Sequence, residues 1–180
     1  NGAVAVGTNI KISRKSADYP ALMMANEMLG SGGFLTSRIP TRLREKEGIS
    51  YGAGSFIDIP IDFDAGSWGA YAFYNPKAVD RVDTALHEEI RSAIDKGFTD
   101  QELATSKVSW KNDRTTSLGT DNYLMTLINN AMYTNTSIDD FDKLTADVEK
   151  LTAQDVNAAI KKYLSMDKMV FIYAGDFNKK

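Results

Sequence analysis

Residues 49–74 read ISYGAGSFIDIPIDFDAGSWGAYAFY, two runs, Ile49–Ile59 and Ala65–Tyr74, joined by Pro60-Ile61-Asp62-Phe63-Asp64. Both runs are rich in aromatic and small residues, which suit a pleated, partly buried surface. The connection is short, so the runs predict an antiparallel pair of strands. Upstream, Val4, Val6, Thr8, Ile10 and Ile12 alternate with Lys11 and Ser13 on the other side, the pattern of a half-buried strand. Downstream, Met169–Ala174 (MVFIYA) reads as a buried strand that returns to the sheet.

The rest of the chain carries helical spacing. Asp18 and Pro20 supply a helix start, Leu22, Ala25 and Leu29 continue on one face, and Gly30 ends it before Ser31-Gly32-Gly33. A second helix includes Leu35, Ile39 and Leu43, with Pro40 in its first turn and Gly48 at its end. Asn75-Pro76 caps a helix whose stripe is Val79, Val82, Leu86, Ile90 and Ile94, closed by Gly97. Thr99 with Glu102 forms a capping box for the helix of Leu103 and Trp110. After a break at Ser117-Leu118-Gly119-Thr120, Leu124, Leu127, Ile128, Ala131 and Met132 mark a helix. Ile138, Phe141, Leu144 and Val148 mark another, and Thr152 with Asp155 opens the last, with Val156, Ile160 and Leu164 inward. The order is read as strand, two helices, two strands, four helices, strand. It predicts an α+β two-layer sandwich, a mainly antiparallel sheet with helices packed on one face, in a single domain spanning 1–180.

Composition constrains the chemistry more than the fold. The 180 residues are 43% apolar and 25% charged, with 21 basic against 24 acidic side chains and a net charge of -3. Bulk electrostatics therefore gives no push toward nucleic acid or an anionic membrane, and no apolar run is long enough to span a bilayer. The absence of cysteine excludes disulfides, cysteine-based zinc sites and thiol catalysis. His87 is the single histidine, so a site needing two imidazoles cannot be assembled from this chain alone. The chain opens Asn1-Gly2-Ala3, with strand-like sequence at once, which reads as a piece cut from a longer protein. A bacterial periplasmic or secreted location is favoured over a cytoplasmic one.

Four groups of residues could carry chemistry. His87-Glu88-Glu89-Ile90-Arg91 mimics the first half of a zinc-binding helix, but Arg91 stands where the second imidazole is needed, so a surface histidine is expected. Asp58, Asp62 and Asp64 match no calcium-loop template and read as solvated turn carboxylates. Gly30-Ser31-Gly32-Gly33 joins helix to helix without the lysine of a phosphate loop, so a turn or packing role is expected. Arg38, Arg42, Arg44 and Lys46 are interleaved with Glu45 and Glu47, which excludes a polyanion patch. Arg38 and Arg42 are expected to share a helix face while Arg44 points elsewhere. Two readings stay open: a solvated helix, or one arginine and the aromatic strand after it forming a contact for a peptide carbonyl or carboxylate.

Residues 26–51, NEMLGSGGFLTSRIPTRLREKEGISY, resemble a long motif of the pitrilysin/insulinase/mitochondrial-processing-peptidase family of zinc metallopeptidases. The match is to its carboxy-terminal, non-zinc type of domain: a small-residue loop, then S-R-[LI] and L-R-E-K-x-G-[LI]-x-Y. Residues 97–107, GFTDQELATSK, are similar to the family's G-x-[ST]-x-x-E-L-x-x-x-K. The resemblance implies two domains per half and two halves enclosing a peptide chamber. It implies zinc held by H-x-x-E-H on a different domain, in the same or a separate chain, with no metal site in this one. It also implies an arginine and a tyrosine seven residues apart facing the chamber, here Arg44 and Tyr51. Their implied roles are to bind an extended peptide and to meet the scissile carbonyl as charge develops. The expected function is thus a substrate-binding, chamber-forming domain of a zinc metalloendopeptidase, inactive alone. The alternative is a non-catalytic scaffold of the same fold.

Overall fold

Four strands form one antiparallel sheet in the order β2-β3-β1-β4: β1 (Gly2–Ile10), β2 (Ser50–Asp58), β3 (Gly66–Tyr74) and β4 (Val170–Ala174). This computed structural model describes residues 1–32, 36–137 and 139–177. Gly33, Leu35 and Ile138, which carry part of the predicted pattern, lie outside the described residues. The helices are α1 (Tyr19–Asn26), α2 (Arg38–Pro40), α3 (Val79–Asp95), α4 (Asp100–Ser117), α5 (Asp121–Thr134), α6 (Asp139–Lys150) and α7 (Ala153–Tyr163). The architecture is the expected α+β sandwich, a sheet with helices on one face.

Period-two alternation decides which face is covered. Val4, Val6 and Ile10 of β1, Ala53 of β2, and Trp68, Ala70, Ala72 and Tyr74 of β3 are buried against the helices. From the helix side come Leu22, Met24 and Ala25 of α1, Val82, Leu86 and Ile90 of α3, and Val156 and Ile160 of α7. Burying each Leu, Ile or Val contributes about 1.5–3 kcal/mol, and together they define the core. The caps form as expected. Thr99 Oγ1 accepts from Glu102 N while Glu102 returns to Thr99 N, and Thr152 with Asp155 does the same for α7.

Three expectations are corrected. Five helices separate β3 and β4 among the described residues, one for each of the five helical stretches named from the sequence, where the stated order counts four. Gly30 does not stop α1. The helix runs on through Glu27–Ser31 as a wide turn closed by Gly32 N–H to the Glu27 carbonyl at 2.9 Å. Gly30 is required there by packing: a Cβ would lie 2.5 Å from Ser55 N of β2. Finally, β4 is no buried strand. It is an edge strand, and Val170 and Ile172 are 61% and 62% exposed because no helix among the described residues covers their side of the sheet.

A second wide turn leads from the helices into β2. Ser37 precedes α2, and the first helical bond runs from Thr41 N to the Ser37 carbonyl at 3.2 Å, so Pro40 sits in the first turn where its missing donor costs nothing. From Thr41 to Lys46 the helix widens, with Glu47 N bonded to the Arg42 carbonyl at 3.1 Å. Gly48, with φ of 62°, then reverses the chain into β2 in a conformation that favours glycine. α5 lies apart from the core, with no buried residue and Met125, Ile128, Met132 and Tyr133 exposed. Among the described residues no helix is long and apolar enough to cross a membrane.

Candidate functional site

The sheet face away from the helices carries an aromatic surface with little charge. Cross-strand pairing lines up Gly54, Tyr71, Ala5 and Ile172 in one row, and Phe56, Gly69, Gly7 and Val170 in the next. Tyr51, Phe56, Tyr71 and Phe73 are all exposed there. Asp58, at the end of β2, brings a carboxylate to the edge of this surface.

Tyr51 stands at an irregularity in this pattern. β2 pairs Ser50 with Tyr74 but Gly52 with Phe73, so Tyr51 is an extra residue in a β-bulge. The Ser50 hydroxyl fills the disrupted ladder. It donates to the Phe73 carbonyl at 2.8 Å and accepts from Gly52 N at 3.2 Å. The Tyr51 ring stacks on Phe73 with centroids 6.2 Å apart and planes at 16°. Tyr51 is 58% exposed, and its hydroxyl makes no hydrogen bond among the described residues. A bulge, a serine plug and a ring stack thus hold a phenol donor facing outward from an apolar surface.

The arginines that the sequence groups together are divided among different tasks. Arg38 donates from Nε to Glu102 Oε1 at 2.7 Å and from its terminal nitrogen to Glu102 Oε2 at 3.0 Å and the Gly97 carbonyl at 2.8 Å. Its guanidinium lies 4.5 Å from the Phe98 ring centre, so it fastens α2 to the start of α4. Burial pushes the Glu102 carboxyl upward, but the bonds from Arg38 and Thr99 outweigh that and hold it below the ordinary glutamate value. Arg42 bonds to Glu47, to Glu88 Oε2 at 2.8 Å and to Glu89 Oε1 at 3.3 Å, which ties the wide turn to α3. The Glu47 bond, then that of Glu88, raises Arg42 above the usual arginine value. Both guanidinium groups are thus taken up by the helical layer, Arg38 at the α3–α4 junction and Arg42 along α3.

Arg44 is different. It lies within the wide turn, half exposed, with Nε 3.7 Å from Glu45 Oε1. Arg42 turns toward α3, and Arg44 stands four residues before the Gly48 reversal into the strand of Tyr51.

The other candidates take structural places. His87 stacks on Phe171 at 4.0 Å, and its Nδ1 lies 3.0 Å from the Asp83 carbonyl oxygen and 3.0 Å from Asp83 Oδ1, so it packs α3 against β4. It does not fit a zinc ligand set, since Arg91 occupies the next turn of the same helix. Asp62 accepts from Lys15 at the β2–β3 connection. Among the described residues no group of three or more His, Cys, Asp or Glu side chains could hold a metal ion.

Sequence reasoning passed over Asn26, Ser50 and the small residues of the open face. Asn26 is buried, and its Oδ1 accepts from Ser55 Oγ at 2.7 Å and Trp68 Nε1 at 3.0 Å, locking α1 to both strands of the β2–β3 hairpin. The signal for the open face was present. Glycine and alanine in β1 and β2 stand opposite the aromatics of the neighbouring strands.

Known proteins share the family and the fold of this chain. Residues 2–108 match the family described as the peptidase M16 inactive domain. The fold is shared with a peptidase M16 inactive domain from Pseudomonas fluorescens, at TM-score 0.81 and 23% identity over 97% of this chain and 40% of that one. It is shared with the inactive peptidase domain of a candidate zinc protease from Bordetella parapertussis, at TM-score 0.76 and 17% identity over 97% and 92% of the two chains. A third is the periplasmic protease PqqL from Escherichia coli, at TM-score 0.71 and 17% identity over 96% of this chain and 19% of that one. The chain thus spans about 40% of the length of the Pseudomonas structure. No curated protein matches it in sequence.

Proposed function

Because the chain belongs to the peptidase M16 inactive-domain family, we propose that it is the substrate-contacting domain of a zinc metalloendopeptidase, completed by a zinc-bearing domain with an H-x-x-E-H motif. It is read as one domain of a longer chamber-forming protein, active on extended peptides and located in the bacterial periplasm or secreted. The observation that carries the proposal is Tyr51: a phenol held outward by a bulge and a ring stack, with its hydroxyl left for another molecule.

A peptide carbonyl is a poor electrophile, and its oxygen gains negative charge as the carbon becomes tetrahedral. Zinc on the other domain supplies Lewis-acid polarisation. Tyr51 donates its hydroxyl hydrogen toward that oxygen, an interaction that strengthens as the charge develops. Arg44 offers a permanent positive charge and planar donors to the substrate backbone. Neither residue abstracts a proton, so the single histidine is no obstacle. The rigid mounting of Tyr51 matters because a donor already in place needs no reorganisation at the moment of reaction.

The test is Tyr51→Phe in the full-length protein. The variant keeps the ring stack on Phe73 and deletes only the hydroxyl. Turnover is expected to fall about 10²-fold or more, with KM little changed, the usual cost of losing one such donor. An unchanged kcat removes Tyr51 from catalysis and favours the scaffold reading.

A further inference from the structure

The open sheet face holds a recess above Gly7. In the row Phe56, Gly69, Gly7, Val170, two glycines stand side by side between two large apolar side chains. They are not equivalent. A Cβ on Gly69 would collide with the Phe56 ring, which leans over it, whereas a Cβ on Gly7 would meet nothing within 4 Å. The gap is a recess of about 440 Å³, with Phe56 on one side, Val170 and Ile172 on the other, and Ala5 and Asn9 along its floor. Neighbouring strands are about 4.8 Å apart, so the floor between Gly69 and Val170 is about 10 Å wide, enough to seat a ring or a branched chain. The only charged residue in its lining, among the described residues, is Lys168.

We propose that this recess is a side-chain subsite for a branched-aliphatic or aromatic residue of an extended peptide, with an acidic neighbour directed at Lys168. The inference rests on the reading that this sheet face meets a peptide, and adds where one side chain is recognised and by what chemistry. Three features of the recess select this occupant. Its walls are apolar, so an apolar side chain gains by leaving water there. An extended peptide presents side chains with period two, so one can enter while its neighbours lie over the flanking rows. The ammonium of Lys168 favours a carboxylate next to the anchored residue and disfavours a second cation.

The test uses the full-length protein and three labelled peptides of a common serine-glycine background, read by fluorescence anisotropy on ice with intact peptide verified by mass spectrometry. One carries a central Phe flanked by Glu, the second Ala flanked by Glu, the third Phe flanked by Lys. The first is expected to bind about tenfold more tightly than either other, a factor corresponding to about 1.4 kcal/mol. Gly7→Leu, whose Cβ meets nothing within 4 Å and whose branch enters the recess from below, should abolish the preference for Phe over Ala and leave the thermal midpoint unlowered. Ile172→Ser, at an exposed position where no folding cost is expected, should weaken the same preference by removing a wall. If both variants retain the wild-type preference, the subsite is wrong while the peptide-contact reading stands. If the wild-type protein binds none of the three peptides, the contact reading itself fails and the subsite with it.

Discussion

Asn26 shows how one buried side chain joins three elements. Its carboxamide oxygen is the acceptor for both Ser55 Oγ and Trp68 Nε1, in a place where water cannot substitute. Asn26→Leu preserves volume but leaves the buried Trp68 N–H without its acceptor, while Ser55 Oγ keeps only the main-chain carbonyl of residue 26 at 3.3 Å. The expected loss is about 1–3 kcal/mol in a urea or guanidinium titration, the cost of one orphaned buried donor. A loss within experimental scatter would show that Ser55 and Trp68 find other acceptors. Ser50 belongs to the same class of residue. Its hydroxyl replaces ladder bonds lost at the bulge, and so keeps Tyr51 outward. Tertiary partners of this kind are invisible to periodicity, because a lone Asn or Ser in the sequence carries no sign of the strand it will meet. Their place inside the family-like stretch 26–51 was visible; the reason for it was not.

At the scale of elements, the Arg38–Glu102 pair ties the segment bearing Arg44 to the helical layer. Its pH dependence derives from the direction of the Glu102 shift. The folded-state value lies below the unfolded one, so the stabilisation is fully present above the unfolded glutamate value of about 4.3 and is lost as pH falls through the folded one. Glu102→Gln keeps an acceptor for Thr99 N and removes the charge. It is expected to destabilise by about 1–2 kcal/mol at pH 7, a modest figure because the pair is partly solvated. That difference should shrink as the denaturation series is carried below about pH 4. A difference independent of pH would mean that the charge contributes nothing. Most elements were legible because local signals agree with tertiary need: alternation in β1, the capping boxes at Thr99 and Thr152, and the Asn75-Pro76 start. The failures have local causes too. Gly30 looked like a stop signal but is a packing glycine against Ser55. The apolar run of β4 looked buried because hydrophobicity alone does not reveal that the opposite face lacks a cover.

Taken whole, the molecule is two-sided. Helices bury one face of the sheet, and the other presents aromatics, glycines and the outward phenol of Tyr51, with Arg44 on the turn leading into the same strand. Of the candidate site, the pair of residues was legible only through a long motif, since an arginine and a tyrosine seven apart mean little by themselves. What the fold adds is the mounting of Tyr51 by bulge and stack, and a neighbouring recess shaped for a side chain. The central claim is that this domain contributes to the transition state more than to ground-state binding. Inhibition of the full-length protein by a phosphinic peptide, whose tetrahedral phosphorus resembles the reacting carbon, separates the two most directly. The account predicts that Tyr51→Phe weakens this inhibitor by about 10²-fold, matching the fall in kcat/KM, while the affinity for an uncleaved peptide of the same sequence is unchanged. Equal weakening of both ligands, or of neither, would contradict it.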